Sequence, residues 1–169
     1  MAYQATTRAL AQCAVIDLKG GDDDIAPRLR ALGLPAAVTG RAVRHGTTEL
    51  IQAGPAHWLL LAPLDQEDRL LHALQVNGLA ADSLVLDVSD LYQFFAIEGA
   101  DARQLVAVAS PLDADPVAFP AEGATFTEAF GQRVLLLRRP YGFDLAIERS
   151  YAPMLTDYFS RINPGGHCS

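Results

Sequence analysis

Apolar positions along the chain follow two spacings, and the switches between them predict its elements. Cys13 to Lys19 is a short apolar run with β-branched residues and predicts a strand. Gly20-Gly21 interrupts it, and Ile25, Leu29 and Leu32 then fall at helical spacing before Gly33. Residues 34–46 keep no period and read as loop. Thr47–Ala53 and His57–Ala62 are two further strands meeting at Gly54-Pro55. Leu70, Leu71 and Leu74 mark one side of a second helix, capped by Asp65 and ended by Asn77-Gly78. Leu84–Val88 is the next strand. The first half therefore reads βαββαβ, the split pattern of a ferredoxin-like unit.

The second half begins the same way. Tyr92–Ile97 predicts a strand, Glu98-Gly99 a turn, and Ala100–Ala109 a helix with Ala102, Leu105, Val106 and Ala109 on one face. Pro111, Pro116 and Pro120 force an irregular crossover. Thr125–Phe130 and Arg133–Leu137 follow, joined by Gly131-Gln132, which suits a two-residue type II′ hairpin with glycine first. Phe143–Ile147 completes a meander. The final helix, from Ser150 to Ile162, puts Tyr151, Leu155, Tyr158, Phe159 and Ile162 on one face. Placing Gly20 on Gly99 and Trp58 on Phe143 aligns the halves in element order and hydrophobic phase. The offset grows between these anchors, so the second copy should hold one extra short strand or loop. The pattern thus predicts one α+β domain over 1–169, internally duplicated in ferredoxin-like units. The first repeat spans 13–88, the second 89–162, and 163–169 is a frayed tail.

Composition narrows the function classes. Half of the 169 residues are apolar, enough for a sizeable core, and the formal charge is −7. A nucleic-acid binder would carry a basic stripe. The longest basic run here is Arg138-Arg139, placed at a turn. Cys13 and Cys168 form no CxxC, which suits a reducing compartment. No apolar run reaches the ~18 residues of a membrane span, and the N-terminus shows no signal-peptide apolar region. A cytoplasmic protein without membrane association is expected.

Candidate chemistry is sparse. Phosphate-cradling, nucleophile-elbow and zinc-protease motifs do not occur, and His45, His57, His72 and His167 lack ligand spacing. His57 reads as a surface group near a turn. Asp22, Asp23 and Asp24 suit the positive end of a helix better than a calcium loop. Asp87, Asp90, Asp113 and Asp115 suit turn formation better than acid–base catalysis. Ser110 has no accompanying base signature. Trp58, Phe94, Phe95, Phe143, Tyr158 and Phe159 fall on buried phases of their elements and read as core. No catalytic, cofactor-binding or metal-binding residue is assigned.

One motif string has a specific likeness. Asp87-Val-Ser-Asp90, Ile97-Glu-Gly-Ala-Asp-Ala-Arg103, Ser110-Pro-Leu-Asp113 and Ala118-Phe-Pro120, with Gly54-Pro-Ala-His-Trp-Leu-Leu-Leu61 and Arg149-Ser-Tyr-Ala, resemble the gamma subunit of heterotetrameric sarcosine oxidase. The likeness runs from about Ala14 to Ile162. It departs at Leu91-Tyr92-Gln93, where relatives often carry a Gly-Arg-type turn. The resemblance implies a fold related to the folate-binding domain of glycine-cleavage aminomethyltransferase. It also implies a non-catalytic assembly role in a complex that demethylates sarcosine to glycine, using tetrahydrofolate and oxygen and releasing hydrogen peroxide. FAD, FMN, NAD and tetrahydrofolate would lie in partner subunits and none in this chain, with an alpha-type subunit and the rest of the heterotetramer as partners. The alternatives are a stand-alone folate-type binder or aminomethyltransferase-like protein, and the matching subunit of an N-methylglutamate dehydrogenase. A docking subunit should expose apolar area that its core does not need. The crossover Pro111–Phe119 offers Leu112, Val117 and Phe119 for that role, unless it folds back and plugs one end of the core. On the docking reading, Phe119→Ala weakens assembly and leaves the thermal midpoint nearly unchanged.

Overall fold

The computed structural model describes residues 3–34 and 39–164. The chain, expected as one domain over 1–169, divides into two compact units, residues 12–89 and residues 90–169 together with 1–11.

The contiguous unit contains β2 (Cys13–Lys19), α1 (Asp22–Ala31), β3 (Ala42–His45), β4 (Thr48–Gly54), β5 (His57–Pro63), α2 (Glu67–Gln75) and β6 (Leu84–Asp87). Its sheet runs β3-β4-β5-β2-β6, antiparallel throughout. Ile16 stands opposite Leu60 and Leu18 opposite Trp58. These four residues, with Ala14, Leu50, Ala62 and Val85, pack in one cluster with Ile25 and Leu29 of α1 and Leu70 and Leu74 of α2. Each side chain fully removed from water contributes about 1.5–3 kcal/mol to this core. The alternate positions Val15, Ile51, Leu59 and Leu61 are buried as well. That explains why β2 and β5 read as nearly continuous apolar runs instead of alternating ones.

Two local expectations change here. Residues 34–46, read as loop, contain β3, an edge strand joined to β4 by the two-residue turn Gly46-Thr47. Gly46 takes φ 59 there, which suits the first position of a type II′ turn. Asp65 does not cap α2. It lies in a 3-10 turn, Leu64–Gln66, and Gln66 occupies the cap position without a side-chain cap bond.

The second unit contains β7 (Tyr92–Glu98), α3 (Ala102–Ala109), β8 (Ala124–Ala129), β9 (Gln132–Arg139), β10 (Gly142–Glu148) and α4 (Ala152–Ile162). It also takes β1 (Thr6–Ala9), which pairs antiparallel with β7 from Thr6 opposite Glu98 to Ala9 opposite Phe95. The sheet order is β1-β7-β10-β9-β8. Phe95, Ile97, Phe143, Leu145 and Ile147 form its core with Leu105 and Val106 of α3 and Leu155 and Phe159 of α4. The β8–β9 turn is Phe130-Gly131, one residue earlier than expected. Both residues have positive φ, 50 and 77, so the turn has the type I′ pattern and not type II′. Tyr151 and Tyr158, expected on the buried face of the last helix, are 41% and 39% exposed. Tyr158 instead lays its ring on Phe130, with centroids 4.7 Å apart. The expected frayed tail lies, from residue 165 onward, outside the described residues. Asn163 before it is buried, and its side-chain amide donates to the Ala5 carbonyl at 2.7 Å.

The duplication is visible in the strand orders. In the first unit β6, β2, β5 and β4 are successive neighbours; in the second, β1, β7, β10 and β9 take the same places. The extra strand expected in the second copy is not peculiar to it. β3 adds an edge strand beside β4 in the first unit as β8 does beside β9 in the second. The aligned glycines have equivalent duties. Gly20 (φ 148) and Gly99 (φ 113) each link a strand to a helix with backbone that L side chains rarely adopt. A Cβ at Gly20 would sit 2.3 Å from Ser83 Oγ, just before β6, and one at Gly99 would sit 2.5 Å from the Gln4 carbonyl oxygen, just before β1. In both copies, absence of a side chain lets the lead-in to the edge strand, β6 or β1, pass close by.

Candidate functional site

The crossover between α3 and β8 is ordered by its own carboxylates. Asp113 Oδ1 accepts the Asp115 N–H at 2.9 Å, and Asp115 Oδ1 accepts the Val117 N–H at 3.0 Å. Asp115 also pairs with Arg103 at 2.8 Å. In the other unit Asp87 accepts the Ser89 N–H at 2.9 Å. Three of the four aspartates around the central stretch are therefore turn-forming residues, as their side chains favour.

Leu112, Val117 and Phe119 go to three different environments. Phe119 is 4% exposed and belongs to the core, its ring stacked on Phe143 with centroids 6.4 Å apart. Leu112 is half-buried against the same cluster. Val117 is 93% exposed. The segment thus folds back at Phe119 and faces out at Val117.

Arg138, on β9, decides which way the segment turns. Its guanidinium donates to the Ala114 carbonyl at 2.6 Å and to the Phe119 carbonyl at 2.9 and 3.2 Å. Its charged carbon stands 4.6 Å from the Phe143 ring centroid, within cation–π range. Burial pulls the guanidinium below its ordinary pKa, and repulsion from Arg103 adds to this. Among the described residues Arg138 forms no ion pair; its hydrogen bonds go to carbonyls. The sequence shows Arg138 only as half of a basic pair after Val134-Leu-Leu-Leu137. A cation continuing so apolar a strand is the signal that could have singled it out.

Next to Arg138, Arg139 donates to Asp144, which is buried, and the Tyr141 hydroxyl donates to the other carboxylate oxygen at 2.6 Å. Burial pushes the Tyr141 phenol up to about 12, with the Asp144 hydrogen bond and charge adding to the shift. Between this turn and the crossover lies an apolar cleft of about 350 Å³, lined by Pro116, Ala121, Arg138, Arg139 and Pro140.

Elsewhere the polar groups assemble in small sets. His57 Nε2 lies 2.6 Å from Asp17 Oδ1, and Lys19 lies 3.4 Å from the same carboxylate. This pairing between β2 and β5 was not legible from a histidine read as a turn-side surface group. Ser110 bonds within the crossover, its Oγ accepting the Leu112 N–H at 3.2 Å and lying 3.3 Å from Thr127 Oγ1. Asp24, one of the three helix-start aspartates, binds Arg28 at 2.8 Å. Arg28 in turn donates to the carbonyls of Leu74, Val76 and Gly78 beyond and at the end of α2. Among the described residues no group of three His, Cys, Asp or Glu is placed to hold a metal ion. Among them, too, no helix is long and apolar enough to cross a membrane.

Comparison with known proteins follows the fold. A family model described as the sarcosine oxidase gamma subunit family matches residues 21–162. A chain of the heterotetrameric sarcosine oxidase from Corynebacterium sp. U-96, in complex with pyrrole 2-carboxylate, superposes at a TM-score of 0.82 with 24% identity, over 98% of this chain and 88% of that one. Glycine cleavage system aminomethyltransferase T from Bartonella henselae superposes at 0.70 with 15% identity, over 93% of this chain and 45% of that one. The fold is thus related to that of the aminomethyltransferase. No curated protein sequence matches the chain.

Proposed function

We propose, since this chain belongs to the sarcosine oxidase gamma subunit family, that it is a non-catalytic subunit of a heterotetrameric flavoenzyme that oxidatively demethylates sarcosine. The family match over residues 21–162 carries this reading. The likeness in fold to a chain of a heterotetrameric sarcosine oxidase supports it.

In this reading the chain contributes surface and rigidity. Each core packs its own sheet against its own helices, and the charged side chains near the crossover are engaged in turns and in pinning backbone. FAD, FMN, NAD and tetrahydrofolate belong to the partner subunits, an alpha-type subunit is the direct neighbour, and the complex resides in the cytoplasm. The partners supply electron transfer and one-carbon chemistry.

Two measurements test the assignment. Co-expression with the neighbouring subunits of its own complex should yield a species that carries flavin absorbance and contains this chain in stoichiometric amount. Purification of this chain as a free monomer beside a complete flavoenzyme that lacks it refutes the role. Calorimetric titration of the isolated chain with tetrahydrofolate should give no saturable heat, whereas a micromolar constant would establish a pocket of its own and a different function.

A further inference from the structure

Each sheet ends in two edge strands, and an unguarded edge is a template for another chain. Three of these edges are guarded. On β6 the ladder bonds fall on residues 84, 86 and 88, since Val88 donates to the Val15 carbonyl, so the Val85 peptide faces outward. The Gln75 side-chain amide, at the end of α2, donates to that Val85 carbonyl at 3.2 Å. Just before β1 the Asn163 amide, following α4, does the same for the Ala5 carbonyl at 2.7 Å. The duplication has repeated the guard. β3 has only four residues, and Arg44 and His45 on it are exposed, as is Arg41 just ahead of it. Short, charged edges resist pairing.

β8 has neither guard. Its six residues, Ala-Thr-Phe-Thr-Glu-Ala, pair with β9 without a register shift and include no proline and no basic residue. The phase of the ladder is fixed at both ends. Arg138 donates its N–H to the Gly123 carbonyl at 2.8 Å, and Ala129 and Gln132 close the two-residue turn. Bonds to β9 therefore fall on Thr125, Thr127 and Ala129, and the peptide groups of Phe126 and Glu128 point away from the sheet. Among the described residues nothing bonds those two N–H groups, and the Phe126 carbonyl takes only the Thr125 hydroxyl, at 3.3 Å. The next outward N–H, that of Phe130, goes to the Ala109 carbonyl at 2.9 Å, and Ala124 is buried, so the open window runs from Thr125 to Glu128. Glu128 is exposed and, among the described residues, forms no ion pair. Arg133, opposite it on β9, lies instead over the Phe126 ring, 4.0 Å from the centroid.

We propose that a partner subunit adds an extended segment to β8 through main-chain bonds to Phe126 and Glu128, with an apolar side chain beside Phe126 and a basic one at Glu128. The proposal rests on the assembly role above and assigns it an edge. The donors and acceptors of that edge, spaced two residues apart, are met by extended backbone, so the occupant is a strand. A second copy of this chain does not complete the edge. Its β8 has no basic residue to set against Glu128, and two chains of net charge −7 repel. The window is also small. At ~3.4 Å per residue and ~10 Å of sheet thickness, pairing two copies through it would bury roughly 300 Å² in total, far below the ~1,200 Å² at which stable interfaces begin. A segment tethered to a subunit already held in the complex needs no such area, because its local concentration is high.

The test uses the full chain, alone and co-expressed with its partner subunits. Amide hydrogen exchange of residues 124–129, read by mass spectrometry, compares the two. The amides of Thr125, Thr127 and Ala129 are held by β9 in both states, and the complex should protect those of Phe126 and Glu128 as well, by about a hundredfold or more. Glu128→Pro removes one outward donor and leaves the β8–β9 bonds in place, and Glu128→Lys reverses the charge. Each should weaken incorporation into the complex roughly tenfold across a dilution series followed by mass photometry, with Glu128→Gln between them and wild type. If the wild type assembles and neither amide gains protection, the docking edge is refuted while the subunit role stands. Protection with no loss in either variant also overturns the proposal, because the edge would then be covered without being bound. If the two amides become protected in the isolated chain as it dimerises, the occupant is a second copy and the proposal falls. If the wild type does not assemble, both readings fall. Should Glu128→Pro melt lower than wild type, the lysine variant and the exchange of the unmodified chain still decide.

Discussion

Phe119→Ala should unfold the second unit well below the wild-type melting temperature. The ring is 4% exposed, stacks on Phe143 and contributes to the cluster that includes α3 and α4. Truncating a buried phenylalanine costs about 3–5 kcal/mol, combining lost transfer energy with the cavity left behind. Loss of the stacked pair accounts for about 0.5–1.5 kcal/mol beyond area alone. The crossover is irregular and closes part of the cavity, so the lower end, about 3 kcal/mol, applies. For a chain of this length that corresponds to a fall of roughly 10 °C in Tm. Phe119→Leu keeps much of the volume and should lose less than half as much. Val117→Ala, two residues away and 93% exposed, should stay within about 0.5 kcal/mol of wild type. Far-UV circular dichroism on heating, with urea titration at fixed temperature, reads all three. A Phe119→Ala midpoint within two or three degrees of wild type, together with impaired assembly, would refute the placement of this ring in the core. It would restore Phe119 to the docking surface.

Other perturbations test other parts of the structure. Gly20→Ala and Gly99→Ala should each destabilise by roughly 1–3 kcal/mol, from positive φ and from a Cβ forced against Ser83 or the Gln4 carbonyl. Ser83→Gly should relieve part of the first cost, and no side-chain change should relieve the second, because the obstacle is backbone. The Arg28 guanidinium holds the Asp24 carboxyl below its usual range, with the Ala80 N–H contributing. A depressed folded-state pKa gives stability that is present above the unfolded value of ~3.9 and is lost as pH falls through the folded value. Asp24→Asn should therefore flatten the acid limb of a urea-midpoint profile and leave its alkaline limb unchanged; an unchanged acid limb refutes the pairing. Tyr141 has its phenol raised to about 12, so its contribution to stability is complete below ~10 and lost between there and about 12. Difference titration of tyrosinate absorbance between wild type and Tyr141→Phe should show this phenol ionising at about 12, and ionisation near 10 would contradict the Asp144 bond.

How much of this was legible depended on how local the controlling forces are. β2 was read at its observed bounds, because its mostly apolar seven residues are closed by a glycine pair and its partners only reinforce the local preference. α1 and α3 were readable from the spacing of their apolar residues. β1 was not read at all. Thr-Thr-Arg-Ala has weak strand character and buries only Thr7, and its place is determined by a neighbour some ninety residues away in sequence. β3 escaped for a similar reason, since Arg44 and His45 lie along the outer edge of a sheet and mask the one buried position, Ala42. The crossover's apolar residues were identified as unusual, but their directions were not readable, because a proline-rich segment has no period from which to infer a face. Arg138 supplies that direction from another strand through bonds to Ala114 and Phe119. The family resemblance could locate the segment and could not orient it.

Because β1 fills the edge place beside β7 in the second sheet, that unit is assembled from two separated stretches, residues 1–11 and 90–169. β1 leaves the ribosome before β7 and must stay unpaired until β7 has been made, after the whole of residues 12–89. Synthesis therefore favours early folding of the contiguous unit, while the other waits for a late, long-range closure of the kind that slows folding. Until that closure one edge of β7 is open to pairing with other chains, which makes early association with a partner, or a chaperone, advantageous. Residues 5 and 163 also meet in the folded protein, where the Asn163 side-chain amide donates to the Ala5 carbonyl at 2.7 Å. A circular permutant that begins at Gln12 and carries residues 1–11 after the C-terminus would place all elements of each unit in unbroken order. It should retain the native sheet and fold faster than the natural chain.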